Sequence, residues 1–245
     1  MGKRFVILGM HRSGSGYLYT MLNNHPDLIV HGELFKPKNI GALSGKLKKA
    51  KGLRLQWLNK SFRDGQPMEF LERVMTYDPD AAYTGFKIFF SQEKEVLKHV
   101  IASGDYKKIV LLRENMLAAY SSAMTARTTG QGKVKKGETP KRVKIIFDAN
   151  DFRRFENRRN KRISNGYRLL EKHGSPFLEV KYTELLSGQG FEKIFNFLEI
   201  PVMSLESEVV KRNPSRIIDR FDNPDQVIAY MEKIGREDWI GEEKF

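Results

Sequence analysis

Eight consecutive residues near the start of the chain, Gly9-Met10-His11-Arg12-Ser13-Gly14-Ser15-Gly16, are the first whose types and spacing suggest chemistry. Glycines let successive backbone N–H groups converge on an anion, and a helix starting behind them adds its partial positive charge. Gly9 and Gly14 keep the Gly-x4-Gly spacing of a nucleotide loop, but Ser15 stands where that loop carries lysine, and a cation comes earlier, at Arg12. Arg113 closes the apolar run Ile109-Val110-Leu111-Leu112. Nucleoside triphosphatases end such a run with an Asp that helps hold magnesium. An arginine there repels the metal and attracts a second phosphate. These residues point to a nucleotide with phosphates at two separate places and no metal. His31-Gly32-Glu33 adds two proton acceptors, an imidazole with an ordinary pKa of about 6.5 and a carboxylate. Burial would raise the Glu33 carboxyl and nearby cations would lower it, so its basicity stays open at this stage.

These groups need elements to hold them. Lys3–Leu8 reads as a buried strand and Tyr17–Leu22 as a helix closed by Asn23-Asn24-His25-Pro26. Leu28–Val30, Tyr83–Phe90, Lys108–Leu112 and Phe177–Lys181 read as four further strands. Helices are expected over Leu43–Leu58, Met68–Met75, Glu93–Ile101, Met116–Ala126, Phe191–Leu198 and Pro224–Ile234. Phe152, Phe155, Arg159, Ile163, Tyr167 and Leu170 recur at three- and four-residue spacing, the pattern of one long amphipathic helix. Thr128–Lys141 holds three glycines and a proline and reads as a mobile loop. Strands alternating with helices make an α/β fold, a parallel sheet of about five strands covered on both faces. Ligands in such sheets sit at the carboxyl ends of the strands, where Gly9, His31, Phe90, Arg113 and Tyr182 begin the loops.

Composition narrows the classes. The 245 residues include no cysteine, which excludes disulfide scaffolds, thiol nucleophiles and Cys-based metal sites. No apolar run reaches the ~18–20 residues of a membrane span, and Phe5–Gly9 is too short for a signal-peptide core. The expectation is a cytoplasmic protein of one domain over residues 1–245. Its net charge of +13 is uneven: residues 36–63 hold nine basic and no acidic residues, and residues 127–162 hold thirteen basic and four acidic. Two segments therefore make the chain basic, and localised charge of this kind steers anions.

The ordered set of motifs resembles sulfotransferases that use 3′-phosphoadenosine 5′-phosphosulfate (PAPS), in particular the bacterial nodulation-type and carbohydrate enzymes. Arg12-Ser13-Gly14-Ser15 is similar to their 5′-phosphosulfate loop. Arg113 and Ser121 are similar to their 3′-phosphate pair, and Gly85-Phe86-Lys87-Ile88-Phe89 to one of their strands. Lys181-Tyr182-Thr183-Glu184-Leu185 resembles a segment whose tyrosine meets the adenine, and Lys211-Arg212-Asn213-Pro214 a loop that closes on the nucleotide. The resemblance implies a P-loop-like sulfotransferase fold and in-line, metal-free sulfuryl transfer from PAPS, leaving PAP. Arg12, Ser13, Gly14, Ser15, Gly16, Tyr17, Arg113, Ser121, Tyr182, Lys211 and Asn213 would bind the donor. Glu33 would be the general base with His31 its rival, and Arg12 and Lys87 would stabilise the transferred group. Gly16 stands where relatives carry Thr, so backbone amides must carry more of the contact.

A carbohydrate or other small acceptor, with an anionic one suggested by the charge, would lie against the basic segments 36–63 and 127–162. Two other readings stay in play. A divergent P-loop kinase would need magnesium and ATP. A basic module for nucleic acid or an anionic polymer would show steep salt dependence, but no zinc-finger spacing or stacking motif supports nucleic acid.

Overall fold

The computed structural model describes residues 2–50, 55–131, 139, 141, 143–205 and 216–243. Its strands are β1 (Lys3–Gly9), β2 (Leu28–Glu33), β3 (Tyr83–Phe89), β4 (Tyr106–Leu112) and β5 (Phe177–Lys181). Its helices, in chain order, are α1 (Ser15–Leu22), α2 (Gly45–Ala50), α3 (Lys60–Gly65), α4 (Pro67–Met75), α5 (Lys94–Ala102), α6 (Met116–Thr129), α7 (Ala149–Lys172), α8 (Tyr182–Leu186), α9 (Gln189–Leu198) and α10 (Pro224–Lys233). Two single 3-10 turns, Ile218–Arg220 and Glu237–Trp239, flank α10.

The strands form one five-stranded sheet in the order β2-β3-β1-β4-β5, with every pairing parallel. Alternation along the strands builds two cores. Val6, Leu8, Phe86, Ile88 and Val110 face α4 and α5. Phe5, Ile7, Tyr83, Ile109 and Leu111 face α1 and α9. The near-continuous apolar runs of these strands follow from burial on both sides. A third cluster packs α6, the start of α7, Ile145, Phe147, α10 and Trp239 beside the carboxyl end of β4. The parallel α/β architecture expected from the sequence is therefore present.

Two expectations need correction. The helix expected over Leu43–Leu58 is described as helix only over Gly45–Ala50, and residues 55–59 form turns. Asn59 there is committed to capping: its side chain accepts the Phe62 N–H at 2.9 Å and starts a separate helix, α3. Helix α6 runs to Thr129, inside the stretch read as a loop, and stops where Gly130 adopts φ 67°. Residues 132–138 and 140 lie outside the described residues, so the mobility expected of that loop is not addressed.

The basic segment 36–63 is less free than its charge suggests. The Arg63 guanidinium is buried and donates to the carbonyls of Leu34, Lys36 and Asn39 at 3.1, 2.7 and 2.8 Å. It thus staples the chain that follows β2. Trp57 packs on Phe70 and Tyr77.

Candidate functional site

The loop between β1 and α1 carries local backbone strain. Gly14 precedes α1 with φ 89°, and a Cβ there would lie 2.2 Å from the Tyr182 ring. Arg12 adopts φ 64°, a left-handed conformation that costs a non-glycine residue about 1–2 kcal/mol. Its neighbours hold it there. Arg12 Nε and Nη2 donate to Ser122 Oγ at 2.9 and 2.6 Å, and its carbonyl accepts Arg113 Nη1 at 3.2 Å. Strain held by surrounding bonds marks functional loops. Gly14→Ala should lower Tm by about 2–8 °C from the backbone term alone. It should also push Tyr182 off the loop, weakening anion binding at least tenfold. Wild-type affinity in that variant, read by calorimetry, would show that the loop is not the binding site.

Arg113 continues from the carboxyl end of β4 as the sequence implies, and its guanidinium lies over the Tyr182 ring at 4.6 Å. Its Nε donates to Glu243 Oε1 at 2.7 Å and its Nη2 to Glu243 Oε2, a bidentate pair with both side chains about 10% exposed. Ser121 is buried one helical stretch away. Its Oγ donates to the Ala118 carbonyl at 3.0 Å and accepts Arg220 Nη1 at 3.2 Å. The arginine on Ser121 is thus Arg220, while Arg113 is clamped by Glu243. Tyr17 packs edge-on to Phe191 beside the loop. Lys211 and Asn213 lie outside the described residues.

The two candidate bases part at a bulge. In a regular strand His31 and Glu33 would share a face. Here His31 pairs with Phe86 but Glu33 pairs with Lys87, the next residue of β3, so one extra residue sits in β2. A one-residue shift flips the side chain to the other face. Glu33 therefore joins Lys87 on the α1 side. His31 does not join the rim, contrary to its reading as a rival base: it is fully buried, its Nδ1 accepts the Ser44 N–H at 3.1 Å, and its Nε2 has no partner among the described residues. Burial pushes its pKa down to about 4.

Lys87 sits at the centre. It is 2% exposed, its ammonium lies over the Tyr19 and Phe89 rings, and it reaches Ser15 Oγ at 3.3 Å and Glu33 Oε1 at 3.2 Å. Gln92 Nε2 donates to Glu33 Oε2 at 3.2 Å while its Oε1 accepts the Phe89 N–H at 3.0 Å. Lys36 and His11 approach the same carboxylate at 3.9 and 4.0 Å. Burial alone would raise the Glu33 pKa, but Lys87, then Lys36 and His11, outweigh it and hold it below its ordinary value. His11 lies over the Phe89 ring, and burial lowers its pKa. A cavity of about 220 Å³ opens beside Gln92, between Phe35, Pro37, Arg63 and the Ser91–Glu93 turn.

Two buried donors lack partners among the described residues where the loop folds back. Ser13 Oγ is one and Arg159 Nε, from α7, is the other. The sequence marks Arg159 only as a position on an apolar stripe. Gln92, Arg220, Glu243 and Arg159 are the site residues that sequence reasoning missed. An arginine recurring at an apolar periodicity was the one available signal among them.

No family model matches the chain. Nodulation protein H of Rhizobium tropici is 31% identical over 133 residues, 52% of this chain and 47% of that protein. The chain thus matches about half the length of that curated relative. The sulfotransferase domain from the curacin biosynthetic pathway superimposes with a TM-score of 0.52 at 18% identity, covering 82% of this chain and 75% of that one. The fold is therefore that of a sulfotransferase domain, and the resemblance read from the motifs recurs in both comparisons. Among the described residues, no helix is long and apolar enough to cross a membrane.

Proposed function

We propose that the protein is a sulfotransferase that moves the sulfuryl group of PAPS to a hydroxyl of a carbohydrate or other small acceptor, with Glu33 as general base. The observation that carries this reading is Lys87, whose one ammonium touches both the loop hydroxyl of Ser15 and the carboxylate of Glu33. Anion cradle and proton acceptor then face one reacting centre.

The residues fit the donor. Ser13 Oγ, buried without a partner among the described residues, and the Gly14 turn packed under Tyr182 support an anion at this loop. The Arg12–Gly16 loop and Tyr17 would hold its 5′ end, Arg113 and Ser121 its 3′-phosphate, and Tyr182 its base. When bound, PAPS supplies an activated sulfuryl group with a bisphosphate as leaving group. Glu33 takes the acceptor hydroxyl proton on a carboxylate oxygen. Gln92, which lines the cavity, holds that carboxylate by its amide, and Lys87 and Arg12 place positive charge where negative charge grows. The cavity's wall mixes Arg63 with Asp64 and Glu93, which favours a polyhydroxylated acceptor over a uniformly acidic polymer.

The test is calorimetric titration with adenosine 3′,5′-bisphosphate without metal, against ATP with magnesium. Metal-free binding of the bisphosphate is expected. Binding of magnesium ATP alone would replace this reading with a kinase.

A further inference from the structure

Helix α7 drives one arginine from its apolar stripe into the back of the loop. Arg159 is 4% exposed, and its Nη1 donates to the His11 carbonyl at 2.6 Å. That carbonyl is its only hydrogen-bond partner among the described residues, and its Nε is buried without one. A guanidinium carries five N–H donors. Burying it without a carboxylate is costly, and proteins rarely tolerate the arrangement unless something else supplies the negative charge.

The carboxylates of the site are engaged elsewhere. Glu33 serves Lys87, Lys36 and Gln92, and Glu243 serves Arg113. Arg113 itself adds to the stress. Burial first, and then the charge of Arg113, lower the Arg159 pKa to about 10. The two arginines also bind the loop in the same way. Arg159 holds the carbonyl of residue 11 and Arg113 that of residue 12, on successive peptides. Two like charges on adjacent carbonyls, only one of them neutralised, form half of an anion site.

We propose that Arg159 is a donor-binding residue: with Arg113 it forms a two-arginine site for an oxyanion of the phosphate class, which supplies the counter-charge its buried guanidinium lacks. Within the donor reading above, on which this assignment rests, that oxyanion is the 3′-phosphate. Arginine suits it because its planar fork meets two phosphate oxygens at once.

The experiment measures affinity for adenosine 3′,5′-bisphosphate and apo Tm in wild type, Arg159→Met and Arg159→Lys. Arg159→Met should lose about 10- to 100-fold in affinity, the usual weight of a charged hydrogen bond. Its apo Tm should hold or rise, because an uncompensated buried charge is gone. Arg159→Lys keeps the charge but not the fork, so it should recover part of the lost affinity and not all of it. An arginine that merely braces the loop behaves otherwise: apo Tm and affinity fall together in Arg159→Met, and that result overturns the proposal. So does affinity within twofold of wild type. Inorganic pyrophosphate separates this assignment from the donor reading. If wild type ignores the bisphosphate but gains Tm with pyrophosphate, and Arg159→Met does not, the anion site stands and the nucleotide falls. If pyrophosphate protects both equally, or neither probe binds wild type, the proposal fails.

Discussion

Glu33→Gln is expected to cut turnover by about 10²–10⁴ without weakening bisphosphate binding. That range is the usual contribution of a positioned general base, about 3–5 kcal/mol of barrier. Glutamine keeps the shape and one acceptor oxygen but cannot hold a proton at neutral pH. It also leaves the Lys87 ammonium, 2% exposed, without its counter-charge. Removing one partner of a buried pair costs about 3–5 kcal/mol, so Tm should fall too, and bisphosphate affinity is the check that the loop survives. The pH profile carries a second signature. A base must be ionised, and Lys87, Lys36 and His11 hold Glu33 below its ordinary pKa despite burial. The fraction ionised is therefore complete at neutral pH and is lost only as pH falls through that lowered value. kcat/KM should stay level from pH 7 to about 5 and decline below the ordinary carboxylate range of about 4.3. The buried His31, pushed down to about 4, would titrate in the same range, so the variants and not the profile separate the two residues. Full activity in Glu33→Gln with a dead but folded His31→Ala would reinstate the buried histidine.

Arg113→Ala should abolish detectable bisphosphate binding, because losing one partner of a buried charged contact costs about 2–5 kcal/mol or more. The single variant has a complication. It strands the Glu243 carboxylate in a place about 10% exposed, so a lower Tm alone would say nothing about ligand. Arg113→Ala with Glu243→Gln removes both charges and should regain stability without regaining affinity. Glu243→Gln alone should bind the bisphosphate more tightly than wild type, since the ligand no longer displaces a carboxylate from the same fork. Unchanged affinity in the double variant would remove Arg113 from the site.

What the sequence made legible is mostly local. The strand, the glycine loop and the helix behind it are contiguous, and period-two burial in β1 and β3 fixed Lys87 on the α1 face. Arg113 was legible because one strand end is a single position. The choice between His31 and Glu33 was not, because a bulge is a register event between two strands and leaves no mark in His-Gly-Glu itself. Glu243 and Arg220 reach the site across 130 and 99 residues of chain, a separation over which periodicity carries no information. Arg159 was visible as an arginine on an apolar stripe, but its burial depends on where α7 crosses the loop. Within the basic stretch 36–63, Arg63 is a staple for three backbone carbonyls, and net charge does not distinguish a staple from a docking surface.

The ammonium of Lys87 stands between the Glu33 carboxylate and the Ser15 hydroxyl, where the anion of the proposed donor would sit. While the loop is empty, it belongs to Glu33 and keeps that carboxylate a poor proton acceptor. An anion arriving at Ser15 draws on the same charge, and the carboxylate's proton affinity climbs as its share of the lysine shrinks. Readiness to accept a proton would in this way depend on occupancy of the loop, whose Ser15 Oγ lies 3.3 Å from the shared Lys87 ammonium. In the proposed reaction this would set an order of events without a moving part: the donor first, deprotonation second, with an acceptor that arrives early meeting a weaker base.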